Sequence, residues 1–255
     1  MSYTINCSYV SNIGKLRKRN QDNFCCNKDY MNYENNGTDE VKSGKALKLS
    51  KKPSVFAIFD GMGGEQCGEM AAYIASKELA EYKFSGDTEK DYSDFCKKAN
   101  LKICDYITKF GLNSMGTTAA ILAFKKNEMC LCNVGDSKIF KFSKEGLLQI
   151  SVDHVAAAPF GKKPPLYQNL GIPEDELIIE PYINTSKFDE DDLYLICSDG
   201  LTDMVPLVDI ATTLHNEKGA AAVEKLLEQA LNNGGRDNIT IVLIGFEKKK
   251  FKLFG

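Results

Sequence analysis

The amino-acid sequence predicts an α+β protein built on antiparallel sheets, and two observations carry that prediction. Four short runs, at 117–124 (TTAAILAF), 128–134 (EMCLCNV), 138–142 (KIFKF) and 147–150 (LLQI), follow one another across turn-sized breaks. Such spacing leaves no room for the helical crossovers that join parallel strands, so these strands pair antiparallel. Helical periodicity falls outside this block, ahead of it and well behind it.

In chain order, residues 28–52 are polar and lysine-rich and read as an exposed loop or hairpin extension. The run at 55–59, VFAIF, is short and continuously apolar, as in a strand buried on both faces. After a glycine cluster, 65–82 (EQCGEMAAYIASKELAEY) combines helix formers with an approximate apolar stripe. A clearer helix follows, in which Tyr92, Phe95, Cys96, Ala99, Ile103, Tyr106, Ile107 and Phe110 recur at spacings of three and four and line one face. Beyond the antiparallel block, 192–201 (DLYLICSDGL) reads as a strand ending in an acid and a glycine. Helix-like stretches near 206–215 and 219–232 come next, the second stopped by Asn233-Gly234-Gly235. A last strand occupies 238–246 (NITIVLIGF). No internal repeat or linker is visible, so a single domain spanning 1–255 is expected.

The 255 residues carry a formal net charge of −3, with 43% hydrophobic and 26% charged residues, which is ordinary for a soluble globular protein. No global basic field points to nucleic acid. The basic tail at 248–252 reads as a solvated terminus rather than a nucleic-acid or membrane patch. No apolar run approaches the ~20 residues of a membrane helix, and the first ten residues lack a signal-peptide pattern. Nine cysteines without a CxxC pair read as reduced thiols that pack the interior, and the expected setting is cytoplasmic. Only two histidines, His154 and His215, are present, which argues against a histidine-rich zinc site.

Acids recur at strand ends. Asp60 closes the 55–59 run and opens FDGMGG (59–64); Asp136 lies in NVGDS, Asp199 in ICSDG and Asp237 in GGRDN, while Asp22 lies in RKRNQDNF. A single Asp-Gly after a strand is usually a turn, so the case rests on the set. Carboxylates at strand ends can converge on one rim, where burial without counterions is strongly unfavourable. Hard divalent cations with a preference for oxygen ligands resolve that, and glycines beside Asp60 let a main-chain carbonyl approach the ion. The glycines do not form the G-x-G-x-x-G pattern of a dinucleotide site, because Gln66 stands where its last glycine belongs.

The ordered segments RKRNQD, FDGMGG, GTTAAI, NVGDSKIF, DHV, ICSDGLTDMV and GGRDNITIVL resemble the successive motifs of the metal-dependent serine/threonine protein phosphatases of type 2C, in their compact bacterial form. The resemblance runs from about residue 5 to residue 246. It implies a four-layer α-β-β-α sandwich, two antiparallel sheets flanked by helices. It also implies two divalent ions, Mg²⁺ or Mn²⁺, bridged by a water that attacks phosphoserine or phosphothreonine without a phosphoenzyme intermediate. Matched residue by residue, Asp22, Asp60, Gly61, Asp199 and Asp237 are the metal residues, with Asp60 bridging both ions and Gly61 acting through its carbonyl. Asp136 and Asp203 match acids associated with a third, weaker ion in some members. Arg17 matches the arginine that grips the substrate phosphate, a role suited to a guanidinium fork. The implied partners are phosphorylated proteins, substrates of a serine/threonine kinase, with the phosphatase acting as a monomer.

Three departures from the family pattern stand out. Met62 occupies a position where some relatives carry a histidine thought to protonate the leaving alkoxide, so a metal-bound water is the expected proton source. Gln21 replaces a glutamate. The segment after DHV, where the family has a flap that influences substrate choice, is short. Lys15, Lys18 and Arg19 read as a solvated basic turn, and His154 as a structural residue at a strand end. No cysteine has an arginine at the C-x₅-R spacing of a tyrosine phosphatase. The rival readings are a non-catalytic scaffold of the same fold and a hydrolase of small phosphate esters.

Overall fold

Alternate residues of the central strands bury their side chains on opposite faces, and this divides the interior into three apolar layers. The computed structural model describes residues 3–38, 40–44, 47–63, 67–126, 128–159 and 164–248. In β5 (Ser54–Met62), Val55, Ala57 and Phe59 face one layer while Phe56 and Ile58 face another. In β7 (Ala119–Lys125), Ala119, Ile121 and Ala123 face the first layer and Ala120, Leu122 and Phe124 the second. Both faces are dry, so these antiparallel strands read as continuous apolar runs rather than alternating ones.

Among the described residues, six strands form one sheet: β11 (Tyr182–Lys187), β8 (Glu128–Val134), β7, β5 and β2 (Asp22–Cys26) in that order, with β6 (Gly116–Thr117) beside β5. Seven form the other: β10 (Gly146–Gln149), β9 (Lys138–Ser143), β12 (Leu193–Cys197), β13 (Ile239–Lys248), β1 (Tyr3–Asn12) and β3 (Lys42–Ser43), with β4 (Leu47–Lys48) also on β1. The strand pairs within both sheets are antiparallel. Helices α1 (Gly68–Glu81) and α2 (Thr88–Phe110) cover the six-stranded sheet. Helices α3 (Asp199–Thr202), α4 (Leu207–Asn216) and α5 (Gly219–Asn232) cover the seven-stranded one. The result is the expected α-β-β-α sandwich.

The expected helices and most strands fall where periodicity places them. Three strands were not anticipated. β1 turns Ile5, Cys7 and Tyr9 into the layer between the sheets, and β2 and β11 are short, β11 with most of its polar residues exposed. The described residues of 28–52 are largely exposed, as expected, yet β3 and β4 sit against the edge of β1 and Met31 is buried between the sheets. Short strands of this kind blunt an edge that would otherwise pair with another chain. Phe110 leaves the predicted apolar stripe: it is exposed and packs on Tyr106. The 23 residues of α2 extend roughly 35 Å, beyond strands of roughly 23 Å, so the last turn overhangs. All nine cysteines are free thiols and seven are buried, in keeping with a packing role. The basic tail beyond Lys248 lies outside the described residues, as do Gly64 of the glycine cluster and residues 160–163 of the flap segment.

Between the sheets, Phe124 is fully buried and meets Phe188, Tyr194 and Phe246 at ring separations of 5.3, 5.2 and 5.2 Å. Phe124→Ala removes the centre of this cluster and costs about 3–5 kcal/mol, so calorimetry is expected to find a Tm lower by roughly 10 °C. A shift below 2 °C would show that the neighbouring rings close the cavity.

Candidate metal centre and phosphate site

The sheets meet at one rim, and the acids arrive there from both. Asp60 lies near the end of β5 in the six-stranded sheet. Asp199 opens α3 shortly after β12, and Asp237 lies just before β13, so both flank strands of the seven-stranded sheet. Asp136 sits in the turn from β8 to β9, where the chain passes from one sheet to the other. These four carboxylates line one cavity of about 500 Å³ together with Arg17, Gln21, Gly61 and Met62. Among its described lining residues Arg17 is the only base.

Asp22 stands behind this group. It is opposite Asp60 in the β2–β5 register, buried, and outside the cavity lining. Burial pushes its carboxyl up to about 6; hydrogen bonds from Thr240 and Ser198 oppose that rise and the nearby Asp237 charge adds to it. Asp203, by contrast, is exposed at the C-terminal cap of α3, away from the cavity. The structure therefore brings Asp136 to the other acids and leaves Asp203 apart.

Main-chain geometry explains the glycine after Asp60. A Cβ on Gly61 would stand 2.3 Å from the Gly68 carbonyl oxygen and 2.4 Å from that of Gln21, so only glycine lets β2, β5 and the start of α1 close together. Gly200 is equally constrained: its Cβ would lie 2.0 Å from the Asn238 carbonyl oxygen.

Small polar residues hold the acids in place, and the sequence reading passed over them. The Thr118 hydroxyl accepts from the Asp60 amide (3.0 Å) and pairs with the Ser137 hydroxyl (2.7 Å), while the Thr118 amide donates to the Asp60 carbonyl (2.9 Å). The turn that carries Asp136 is thereby tied to the strand that carries Asp60. The Asn238 amide group donates to the carbonyls of Ile13 (2.9 Å) and Arg19 (3.0 Å), and its oxygen accepts from the Gln21 amide (2.8 Å). That pins the 13–19 loop beside Asp237. His154 is buried, as expected of a structural residue, but it lies in the loop after β10 rather than at a strand end. Its amide donates to the Gly135 carbonyl (2.9 Å), and burial lowers its imidazole pKa. Ser198 and Asn238 each flank a motif aspartate, whereas Thr118 has no acid beside it in the sequence.

Arg17 reaches the mouth of the cavity and donates from Nη2 to Asp237 Oδ2 at 2.6 Å. That bond raises the guanidinium pKa further. Its side chain remains 50% exposed, and a guanidinium has five N–H donors, so it can hold Asp237 and an anion together. Arg19, expected in a solvated turn, instead pairs with the buried Glu69 at 2.6 Å while its own side chain stays exposed.

The donor set fits a hard divalent cation. It is all oxygen, and it concentrates four carboxylates against one guanidinium. Among the described residues no group of three or more His, Cys, Asp or Glu is arranged to hold an ion by itself. An ion here would draw on water and the Gly61 carbonyl as well, which is how Mg²⁺ is usually held.

A raised carboxyl pKa means that the folded chain binds this proton more tightly than the unfolded chain, whose value is ~3.9. The associated stability is fully present below about pH 4 and is lost as pH rises through about 6. In excess chelator, the wild-type Tm should fall between pH 4 and pH 7 by on the order of 5 °C more than that of Asp22→Asn. Parallel Tm profiles for the two proteins would refute the assignment.

Residues 16–159 match the family model described as Protein phosphatase 2C. The serine/threonine phosphatase stp of Listeria welshimeri is 26% identical over 238 positions, covering 84% of this chain and 90% of its own. The protein phosphatase PhpP of Streptococcus pneumoniae is 26% identical over 263 positions, covering 95% and 98%. Among solved structures, the catalytic domain of the serine/threonine protein phosphatase PstP in complex with two manganese ions superposes with a TM-score of 0.76 at 25% identity, over 96% of this chain and 100% of that one. The serine/threonine phosphatase of S. agalactiae superposes with a TM-score of 0.78 at 25% identity, over 94% and 99%. With more than half of its length matched by the family model, the chain belongs to the protein phosphatase 2C family.

Proposed function

We propose that this metal-dependent protein phosphatase hydrolyses phosphoserine and phosphothreonine in proteins by direct attack of water. In this reading Asp60, Gly61, Asp199 and Asp237, with Asp22 behind Asp60, hold two divalent cations, Mg²⁺ or Mn²⁺. The observation that carries the reading is the convergence of four carboxylates, from four separate chain segments and both sheets, on one cavity that Arg17 borders. When bound, two such ions acidify a water held between them and offset phosphate charge.

The chain's own residues bind and orient. Arg17 is bonded to Asp237 through one N–H and has others for two phosphate oxygens, which places the substrate beside the acids. No cysteine, serine or histidine lies among the described residues of the cavity wall, which favours water over a side-chain nucleophile. Met62 is in that wall and has no proton to give, so the departing serine or threonine oxygen takes its proton from water. Pro164, Leu166 and Asn169 bring the short flap segment to the same wall, where it meets the residues around the phosphoamino acid. Of the acids associated with a third ion, Asp136 is in the wall and Asp203 is not; an ion on Asp136 alone would keep most of its waters and bind weakly. One catalytic domain over the whole chain, acting as a monomer on the substrates of a serine/threonine kinase, completes the reading. Among the described residues no helix is long and apolar enough to cross a membrane.

Two substitutions test it. Asp60→Asn is expected to lower turnover of a phosphothreonine peptide in Mn²⁺ by roughly 100-fold or more, with circular dichroism unchanged; turnover equal to wild type would sink the metal assignment. Arg17→Ala should raise KM for the same peptide by about tenfold or more, since a charge-assisted contact is worth ~1.5–3 kcal/mol. An unchanged KM with a lower Tm would make Arg17 structural. Running the panel beside a small aryl phosphate separates a protein phosphatase from a small-ester hydrolase, and inactivity on both would indicate a scaffold.

A further inference from the structure

Ser198 lies between β12 and the first residue of α3, and it is fully buried. Its amide donates to the Thr240 carbonyl (3.1 Å), and the Thr240 amide donates back to Ser198 Oγ (3.0 Å). With its oxygen engaged by that fixed donor, the hydroxyl gives its one proton to Asp22 Oδ2 at 2.7 Å. A second route for that proton, the Asn238 carbonyl, is far longer at 3.5 Å. The Thr240 hydroxyl is itself paired with Ser11 Oγ (2.8 Å), which also accepts from Asn20 Nδ2 (2.9 Å). Every group in this chain is buried.

The contact joins two sheets. Ser198 and Thr240 belong to the seven-stranded sheet and its end, next to Asp199 and Asp237, whereas Asp22 is on the six-stranded sheet, in register with Asp60. The carboxylates that the two sheets carry to the rim repel one another, and the Ser198–Asp22 bond is a buried tie between the sheets at that point. Because Ser198 immediately precedes Asp199, its anchorage passes to that carboxylate through a single peptide unit.

We propose that Ser198 is a positioning residue for the divalent-metal centre: by donating to Asp22 it sets the spacing between the acid of the six-stranded sheet, Asp60, and those of the seven-stranded sheet, Asp199 and Asp237. The inference rests on the metal reading above. Groups that orient ligands from behind typically change metal affinity by about 10- to 100-fold when removed.

The test is a calorimetric Mn²⁺ titration of Ser198→Ala, with the Tm of each protein measured in excess EDTA. The Kd for Mn²⁺ is expected to rise by about tenfold to a hundredfold. A Kd within twofold of wild type overturns the proposal, and it does so even if the Tm in EDTA falls, because that pattern marks a purely structural hydroxyl. Thr240→Val keeps the shape of its side chain while removing the neighbouring hydroxyl from Asp22, and serves if Ser198→Ala does not fold; it too must weaken Mn²⁺ binding, and an unchanged Kd counts against the proposal. Asp60→Asn is titrated alongside. If it binds Mn²⁺ as well as wild type, the metal assignment itself has failed. If it loses binding while Ser198→Ala and Thr240→Val do not, only the positioning role is wrong.

Discussion

Mutual repulsion among carboxylates at the rim where two sheets meet is the constraint on which the rest of this structure depends. Asp60, Asp136, Asp199 and Asp237 share one cavity, with Asp22 buried behind Asp60. Charges of one sign at this density repel one another and favour separation unless something of opposite sign or a proton donor stands between them. The surrounding residues answer that demand: a guanidinium at the mouth, hydroxyls and amides at the back, and an all-oxygen donor set open to a hard cation.

The fold supplies the rigidity that such a site needs. Each acid sits at or near the end of a strand whose remaining residues are locked into dry layers on both faces, so the rim cannot relax outward without disturbing the core. The inter-sheet layer, with Phe124 at its aromatic centre, fixes the separation of the sheets along their length. Polar contacts take over at the rim, where Thr118, Ser198 and Asn238 hold the segments that carry the acids. Gly61 and Gly200 mark the points at which backbone passes against backbone, and a single methyl group would part the elements there.

Arg17 and Asp237 meet at the cavity and are held there by one stretch of chain. The loop that carries Arg17 is held by Asn238, the residue after Asp237, so the guanidinium and the carboxylate are positioned by the same short segment. An anion drawn to Arg17 arrives directly beside the acids. Met62, which has no titratable group, shares the cavity wall with Pro164, Leu166 and Asn169 of the flap segment.

The sequence by itself determined the fold class and the acids. Closely spaced strands forbid crossovers, the apolar run at 55–59 reports burial on two faces, and the ordered motifs name Asp22, Asp60, Asp199 and Asp237 together. Periodicity missed β1, β2 and β11, because short or polar strands owe their pairing to neighbours far along the chain rather than to their own composition. Only the tertiary structure decided which matched acids meet: Asp136 enters the cavity because its turn links the two sheets, while Asp203 ends exposed one turn past Asp199. It also decided that Asp22 stands behind Asp60 and that Thr118, Ser198 and Asn238 hold the rim. A hydroxyl or amide beside a motif acid has no periodic signature; its role comes from a partner roughly a hundred or more residues away, as Ser198 finds Asp22 and Asn238 finds the 13–19 loop, and that partner is fixed only when both sheets are stacked.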